Sequence, residues 1–291
     1  MSTTAFSTIE DIILQRDQRG VAALRPHLPA DYAVQAAQYV LDHPGTTFIT
    51  TGFYILYGGT VETDGPPGAM AIGKALEKLG RKVVYVTDKY CLKAMKTLAS
   101  PKGTVEEFPV TDLEGSNKAA KVLIDKHKPA LLISIERSSP SRDGIYRNMR
   151  STDVSSYTAK VDAMFRIHPN TVGIGDGGNE IGMGLLEEFI PKYPKLPQLP
   201  AAVACKKLII ASVSNWGGYG LVAAMSKLSK RNLLPTLEEE AGWVKQCVDQ
   251  GLVDGFTGEA KLYVDGFPMD EYQKTLKQLH DLLKREGVKG K

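Results

Sequence analysis

Cysteine is scarce in this 291-residue chain: three residues, at 91, 205 and 247, none close to another. An odd, scattered set builds neither a disulfide framework nor a cysteine-rich metal site. It points to a reducing compartment, the cytoplasm before the mitochondrial matrix. The five histidines (27, 43, 127, 168 and 280) stand apart, without the i, i+4 pair of a helical zinc site. No apolar run approaches the ~18 residues that span a bilayer. A net charge of +3, spread along the chain, gives no reason to expect nucleic acid or an anionic membrane as partner. The first twenty residues show no basic start followed by an apolar run, so no secretory leader is expected, and Glu10, Asp11 and Asp17 are acidic too early for a transit peptide. The lysine of a nucleotide-binding P-loop is also missing, so no nucleotide is expected.

What is present is a core. Hydrophobic residues make up 43% of the chain, and short apolar runs alternate with helical patterns. TTFITT (46–51), KVVYVT (82–87), TVEEFPV (104–110), ALLISI (130–135), TVGI (171–174) and KLIIASV (207–213) read as strands. Segments 68–79, 114–127, 157–165, 179–189 and 219–228 read as helices, as does a stretch ending at Leu98 that Asp88 is placed to cap. Helices at 8–19 and 31–41 precede this core, and helices at 237–250 and 270–286 follow it. Ser7 with Glu10, and Thr236 with Glu239, have capping-box spacing. The expected fold is α/β: a mostly parallel sheet with helices on both faces, three-layered and Rossmann-like, with extra terminal helices, in one domain over 1–291. PKYPKLPQLP (191–200) is a stiff connector.

In such sheets ligands bind beyond the carboxyl ends of the strands. Four loops with unusual residues fall there. YGGTVETDGPPGA (57–69) places Glu62 and Asp64 before a proline-started helix, either as functional carboxylates or as an ordinary acidic turn. ERSSPSRDGIYRNMRSTD (136–153) has Glu136 at a strand end and then Arg137, Arg142, Arg147 and Arg150, a set suited to an anionic ligand or to solvated surface. SNWGGYG (214–220) offers Asn215 as a hydrogen-bonding group, and Trp216 and Tyr219 as a pocket wall or as core.

The remaining loop follows TVGI. GIGDGGNEIGMG (173–184) is half glycine and satisfies G-x-G-x-x-G. A dinucleotide turn belongs after the first strand, with a ribose-binding acid about 20 residues on. Here the turn comes late and the connector occupies that downstream position. Asp176 and Glu180 also put negative charge where a pyrophosphate would lie. They suit a hard cation such as Mg²⁺ or Mn²⁺, with Asp64 as a further ligand, or an acid–base role, while Asp176 and Asn179 can equally cap a helix.

Taken together, ETDGPPGA (62–69), ERSSPSRDGIYRNMRSTDVSSYT (136–158), GIGDGGNEIGMG (173–184) and SNWGGYGL (214–221) resemble the D-glutamate cyclase-like C-terminal domain family, over about residues 8–285. The resemblance implies conversion of D-glutamate to 5-oxo-D-proline with loss of water, by an amino-acid lyase. Some family members join this unit to an N-terminal domain, and here the unit is expected to stand alone. On this reading Asp64, Glu136, Asp176 and Glu180 supply base, acid or metal ligands. Glu62, Arg137, Arg142, Arg147, Asn179, Asn215, Trp216 and Tyr219 contact the substrate. The competing expectations are a non-catalytic module for a small anionic metabolite and a metal-dependent hydrolase of a small anionic substrate.

Overall fold

Strand pairing in the computed structural model, which describes residues 6–101 and 103–289, builds one six-stranded parallel sheet. Its strands are β1 Thr47–Thr50, β2 Val83–Thr87, β3 Thr104–Glu107, β4 Leu131–Ile135, β5 Thr171–Gly175 and β6 Lys207–Ile210. They lie in the order β3-β2-β1-β4-β5-β6. This is the doubly wound order, and its topological switch point falls between β1 and β4.

Side chains alternate across the sheet, as the strand period of two requires. Ile49, Tyr85, Ile133 and Val172 face a thick layer that includes helices α2 (Tyr32–Asp42), α3 (Pro66–Lys78) and α7 (Ser214–Ser229). Phe48, Val84, Val86 and Leu132 face α5 (Leu113–His127) and α6 (Asp162–Ile167). Burial of each such side chain stabilises by about 1.5–3 kcal/mol. The first layer is extended by α1 (Ile9–Ile13), α4 (Leu92–Leu98), α8 (Leu237–Asp249) and α9 (Met269–Arg285). Among the described residues, no helix is long and apolar enough to cross a membrane.

The local differences from the sequence reading have physical causes. The capping box of α1 is Thr8 with Asp11, not Ser7 with Glu10, because Glu10 turns inward and accepts the Ala33 N–H at 3.0 Å. That helix stops at Ile13 rather than continuing to 19, and a 3₁₀ helix follows at Val21–His27. Thr236 and Glu239 do form the box that opens α8. Asp88 lies one turn ahead of α4. Its Oδ1 accepts the Tyr90 N–H at 3.1 Å while its Oδ2 pairs with Arg137, so it shapes the turn into the helix rather than capping Leu92–Leu98 directly. Segment 157–165 is a 3₁₀ turn, Ser155–Tyr157, and then α6. Segment 179–189 is not an α-helix but leads into short 3₁₀ turns at Gly184–Leu186 and Ile190–Lys192. Conversely, α7 starts at Ser214, five residues before the expected start at Tyr219.

The glycine-rich segment folds back against β5. A Cβ on Gly173 would lie 2.6 Å from both Gly182 Cα and Ile181 O, so backbone meets backbone where a side chain would otherwise stand. Gly182 has φ +107°, a conformation that L side chains rarely adopt.

Candidate active site

The switch point is strongly acidic. Glu62, Asp64, Glu136, Asp176, Glu180 and Asp265 gather there, each no more than 4% exposed. They come from the loop after β1, the end of β4, the loop after β5 and a C-terminal hairpin turn. Glu136 has φ +44° and Asp265 φ +53°, a left-handed conformation that costs a non-glycine residue about 1–2 kcal/mol. Strain of this kind persists where surrounding structure enforces it, typically at functional sites.

Two of these carboxylates are consumed by backbone. Glu180 Oε1 accepts the N–H groups of Asp176 (3.3 Å) and Gly177 (2.7 Å), and Oε2 those of Gly178 (2.8 Å) and Asn179 (3.0 Å). The glycine-rich turn is therefore an anion cradle, and its anion is the protein's own Glu180. This explains the G-x-G-x-x-G spacing without a bound phosphate.

Asp64 lies between two helix N-termini. It accepts the Ser214 N–H (2.9 Å) and Asn215 N–H (2.8 Å) at the start of α7, and the N–H of Gly65 (3.0 Å). In return, Asn215 Oδ1 accepts the N–H groups of Gly65 (2.9 Å) and Gly68 (2.7 Å) at the start of α3. Each helix is thus capped by a side chain contributed from beside the other. Burial, followed by the charge of Asp265, pushes the Asp64 carboxyl up to about 8 against the opposing effect of these hydrogen bonds.

Glu136 and Asp176 retain free oxygens. Glu136 Oε2 accepts the Ser214 hydroxyl at 2.6 Å. Asp176 Oδ2 accepts Arg19 Nη1 at 2.9 Å and the Ser214 N–H at 3.2 Å. Among the described residues nothing hydrogen-bonds Glu136 Oε1 or Asp176 Oδ1, and both residues line a cavity of about 180 Å³. Burial, then Glu180 and Asp64, holds the Glu136 carboxyl well above the usual range. Burial raises the Asp176 carboxyl well above the usual range too, although the Arg19 guanidinium opposes the shift. Burial and Glu136 raise Glu62, which also lines the cavity.

Arg19 is the counter-charge of the cluster. It bridges Asp176 and Asp265, the latter bidentately at 2.8 and 2.9 Å. Carboxylate oxygens of Asp64, Asp176 and Asp265 come within 4.8 Å of one another, as do those of Glu136, Asp176 and Glu180. Arg19 already serves as cation for Asp176 and Asp265, and backbone N–H groups saturate Glu180. Glu136 and Asp176 then remain as donors for a divalent cation. Two carboxylate oxygens with water and substrate suit Mg²⁺ or Mn²⁺, so the cluster could hold such an ion.

The other expected residues are distributed unevenly. Asn179 lines the cavity. Its Nδ2 donates to Arg147 O at 3.0 Å, while its buried Oδ1 has no partner among the described residues. Arg137 is 1% exposed and spends its guanidinium on Gly52 O, Ala159 O and Asp88, away from the cavity. Arg142 pairs with Glu187 at the surface, and Arg147 pairs with Asp143. Arg150 is the arginine of that loop that reaches the cavity. Asn215 is occupied as a cap. Trp216 and Tyr219 are fully buried behind it: Trp216 packs on Tyr272 and under the Arg16 guanidinium, and the Tyr219 and Tyr272 hydroxyls are 3.0 Å apart.

Arg19 and Asp265 were missed by the sequence reading. Arg19 carries no local signal, because its partner Asp176 is 157 residues away. Asp265 sits in an Asp-Gly turn between Tyr263–Val264 and Phe267–Pro268, which reads as ordinary hairpin chemistry. The apolar side of the cavity, with Phe53, Ile55, Met149 and Phe256, was missed as well.

Fold and site together define a doubly wound α/β protein with a buried carboxylate cluster at its switch point. The chain belongs to the D-glutamate cyclase-like C-terminal family, whose profile matches residues 9–280. D-glutamate cyclase, mitochondrial, of Homo sapiens is 30% identical over 218 residues, covering 68% of this chain and 35% of that protein. The match thus spans about a third of the relative's length. An exopolyphosphatase-related protein from Bacteroides fragilis, a solved structure, superposes with a TM-score of 0.42 at 10% identity, covering 89% of this chain and 60% of that one.

Proposed function

We propose that this chain is a D-glutamate cyclase that converts D-glutamate to 5-oxo-D-proline and water. The observation that carries this reading is the Glu136–Asp176 pair, two buried carboxyls with oxygens open to one cavity and with unlike surroundings. Family membership and the relative's name support it.

Ring closure forms a bond from the substrate's own nitrogen to its γ-carbon and breaks a bond from that carbon to oxygen. The ammonium gives up two protons, and both leave with the departing oxygen as water. The site therefore needs a group to take protons from nitrogen and a group to give them to oxygen. Asp176, which has the Arg19 guanidinium as counter-charge, is the base. Glu136, which lacks a cationic partner and is crowded by Glu180 and Asp64, is the acid. The roles divide on these unlike surroundings: a guanidinium beside one carboxyl, and carboxylates beside the other. Holding the chain curled supplies the intramolecular advantage, so no nucleotide is required. Were Glu136 and Asp176 instead both ionised and holding a divalent cation, that cation would polarise the γ-carboxylate in place of the Glu136 proton. Asp64 and Glu180 fix the helix starts and the turn that carry this pair. The three cysteines, free and buried, accord with the cytoplasm.

The test is incubation of the purified chain with D-glutamate, with and without Mg²⁺ or Mn²⁺, and detection of 5-oxoproline by mass spectrometry. Product above the uncatalysed rate supports the reading. Calorimetric binding of D-glutamate without product would point to a binding module instead, and phosphate released from a panel of phosphorylated substrates would point to a hydrolase.

A further inference from the structure

The cavity has two cations in its lining, Arg19 and Arg150. Arg19 is committed to Asp176 and Asp265. Arg150 makes no ion pair among the described residues. Its guanidinium lies 5.5 Å from the centre of the Tyr57 ring, at the open side of the cavity. Tyr57 is itself fixed there by donating its hydroxyl to Gly255 O. On the buried carboxylates' side, no donor among the described residues reaches Glu136 Oε1, Asp176 Oδ1 or Asn179 Oδ1. Phe53, Ile55 and Phe256 supply apolar surface to the same cavity.

Such a site has a cation-seeking floor, an anion-seeking rim and an apolar wall. An α-amino dicarboxylate has a matching ammonium, carboxylate and methylene chain. We infer that Arg150 determines specificity by pairing with the substrate carboxylate that does not react, and that Asn179 Oδ1 accepts from the substrate ammonium. This rests on the cyclase reading and adds to it the choice of substrate. The site favours α-amino dicarboxylates over ω-amino acids that can close the same ring but lack the second carboxylate. Guanidinium suits this task because it offers carboxylate a planar pair of donors, which ammonium does not.

The experiment compares D-glutamate with 4-aminobutyrate, which lacks the α-carboxylate, in the wild-type chain, Arg150→Gln, Arg150→Lys and Arg142→Gln. Binding is read by calorimetry, which does not require turnover, and 5-oxoproline formation is followed in parallel. Arg150→Gln is expected to weaken D-glutamate binding about tenfold or more, as loss of a charged hydrogen-bond partner does. It should leave 4-aminobutyrate binding unchanged, so that the preference between the two collapses. Arg150→Lys should restore part of the preference, and Arg142→Gln should have no effect. Where turnover occurs, the loss should fall on KM more than on kcat. Unchanged D-glutamate binding in Arg150→Gln, equal loss for both ligands, or no D-glutamate binding by the wild type overturns the assignment. Arg150-dependent binding without 5-oxoproline would instead overturn the cyclase reading and leave this one standing.

Discussion

Glu180 and Asp176 lie four residues apart and have different tasks. All four hydrogen bonds of Glu180 go to its own turn, so its negative charge holds backbone. Glu180→Gln replaces one acceptor oxygen with an amide that faces N–H groups. It should destabilise the chain by about 2–4 kcal/mol, read from the midpoint of denaturant unfolding. Asp176→Asn should behave differently. Arg19 keeps its bidentate pair with Asp265, so folding should persist while turnover falls at least ~100-fold, the usual size of a lost acid or base. The sequence made both acids conspicuous, because carboxylates in a glycine-rich strand end are unusual. It did not separate them, since what turns Asp176 outward from the turn is Arg19 and Ser214, far away in the chain.

At the scale of elements, the α3 and α7 N-termini are tied together by Asp64 and Asn215. Asn215→Ala removes the acceptor shared by the Gly65 and Gly68 N–H groups and should cost about 1–2 kcal/mol in thermal or denaturant unfolding. Gly173→Ala should cost more, at least ~3 kcal/mol, because its Cβ would meet backbone that cannot move aside. If either variant unfolds at the wild-type midpoint, the corresponding contact does not hold its elements together. The strands were legible because each is an apolar run bounded by turn residues. The starts of α1 and α7 were misread for different reasons, a neighbouring local box at α1 and a distant cap at α7. Ser7 and Glu10 have the right spacing, but Glu10 is drawn inward to Ala33. SNWGG looks like a loop until Asp64, 150 residues earlier, arrives to cap it. Caps supplied across the fold leave no trace in local spacing.

For the whole molecule, buried carboxyls make stability depend on pH. Asp64 titrates at about 8. Glu240, buried in α8 beside Tyr219 and Gln273, is also pushed up to about 8, by burial. Unfolded, such groups titrate near ~4. The folded state therefore holds more protons between those values. Stability contributed by these groups is fully present below about pH 4 and is lost as pH rises through about 8. Glu240→Gln, which stays uncharged, should flatten the fall in Tm between pH 5 and pH 9, and an unchanged fall would remove Glu240 from this account. The doubly wound core, and the convergence of four loops on one edge, could be read from strand–helix alternation. The cluster's remaining members could not, because Arg19 and Asp265 come from the two ends of the chain and meet only in three dimensions. The central claim is that Glu136 and Asp176 close the ring. The most direct measurement is the rate of 5-oxoproline formation from D-glutamate by the wild-type chain, Glu136→Gln and Asp176→Asn, each verified as folded. The account predicts product from the wild type and a loss of at least ~100-fold in each variant. Absence of wild-type product, or variants that match its rate, would contradict it.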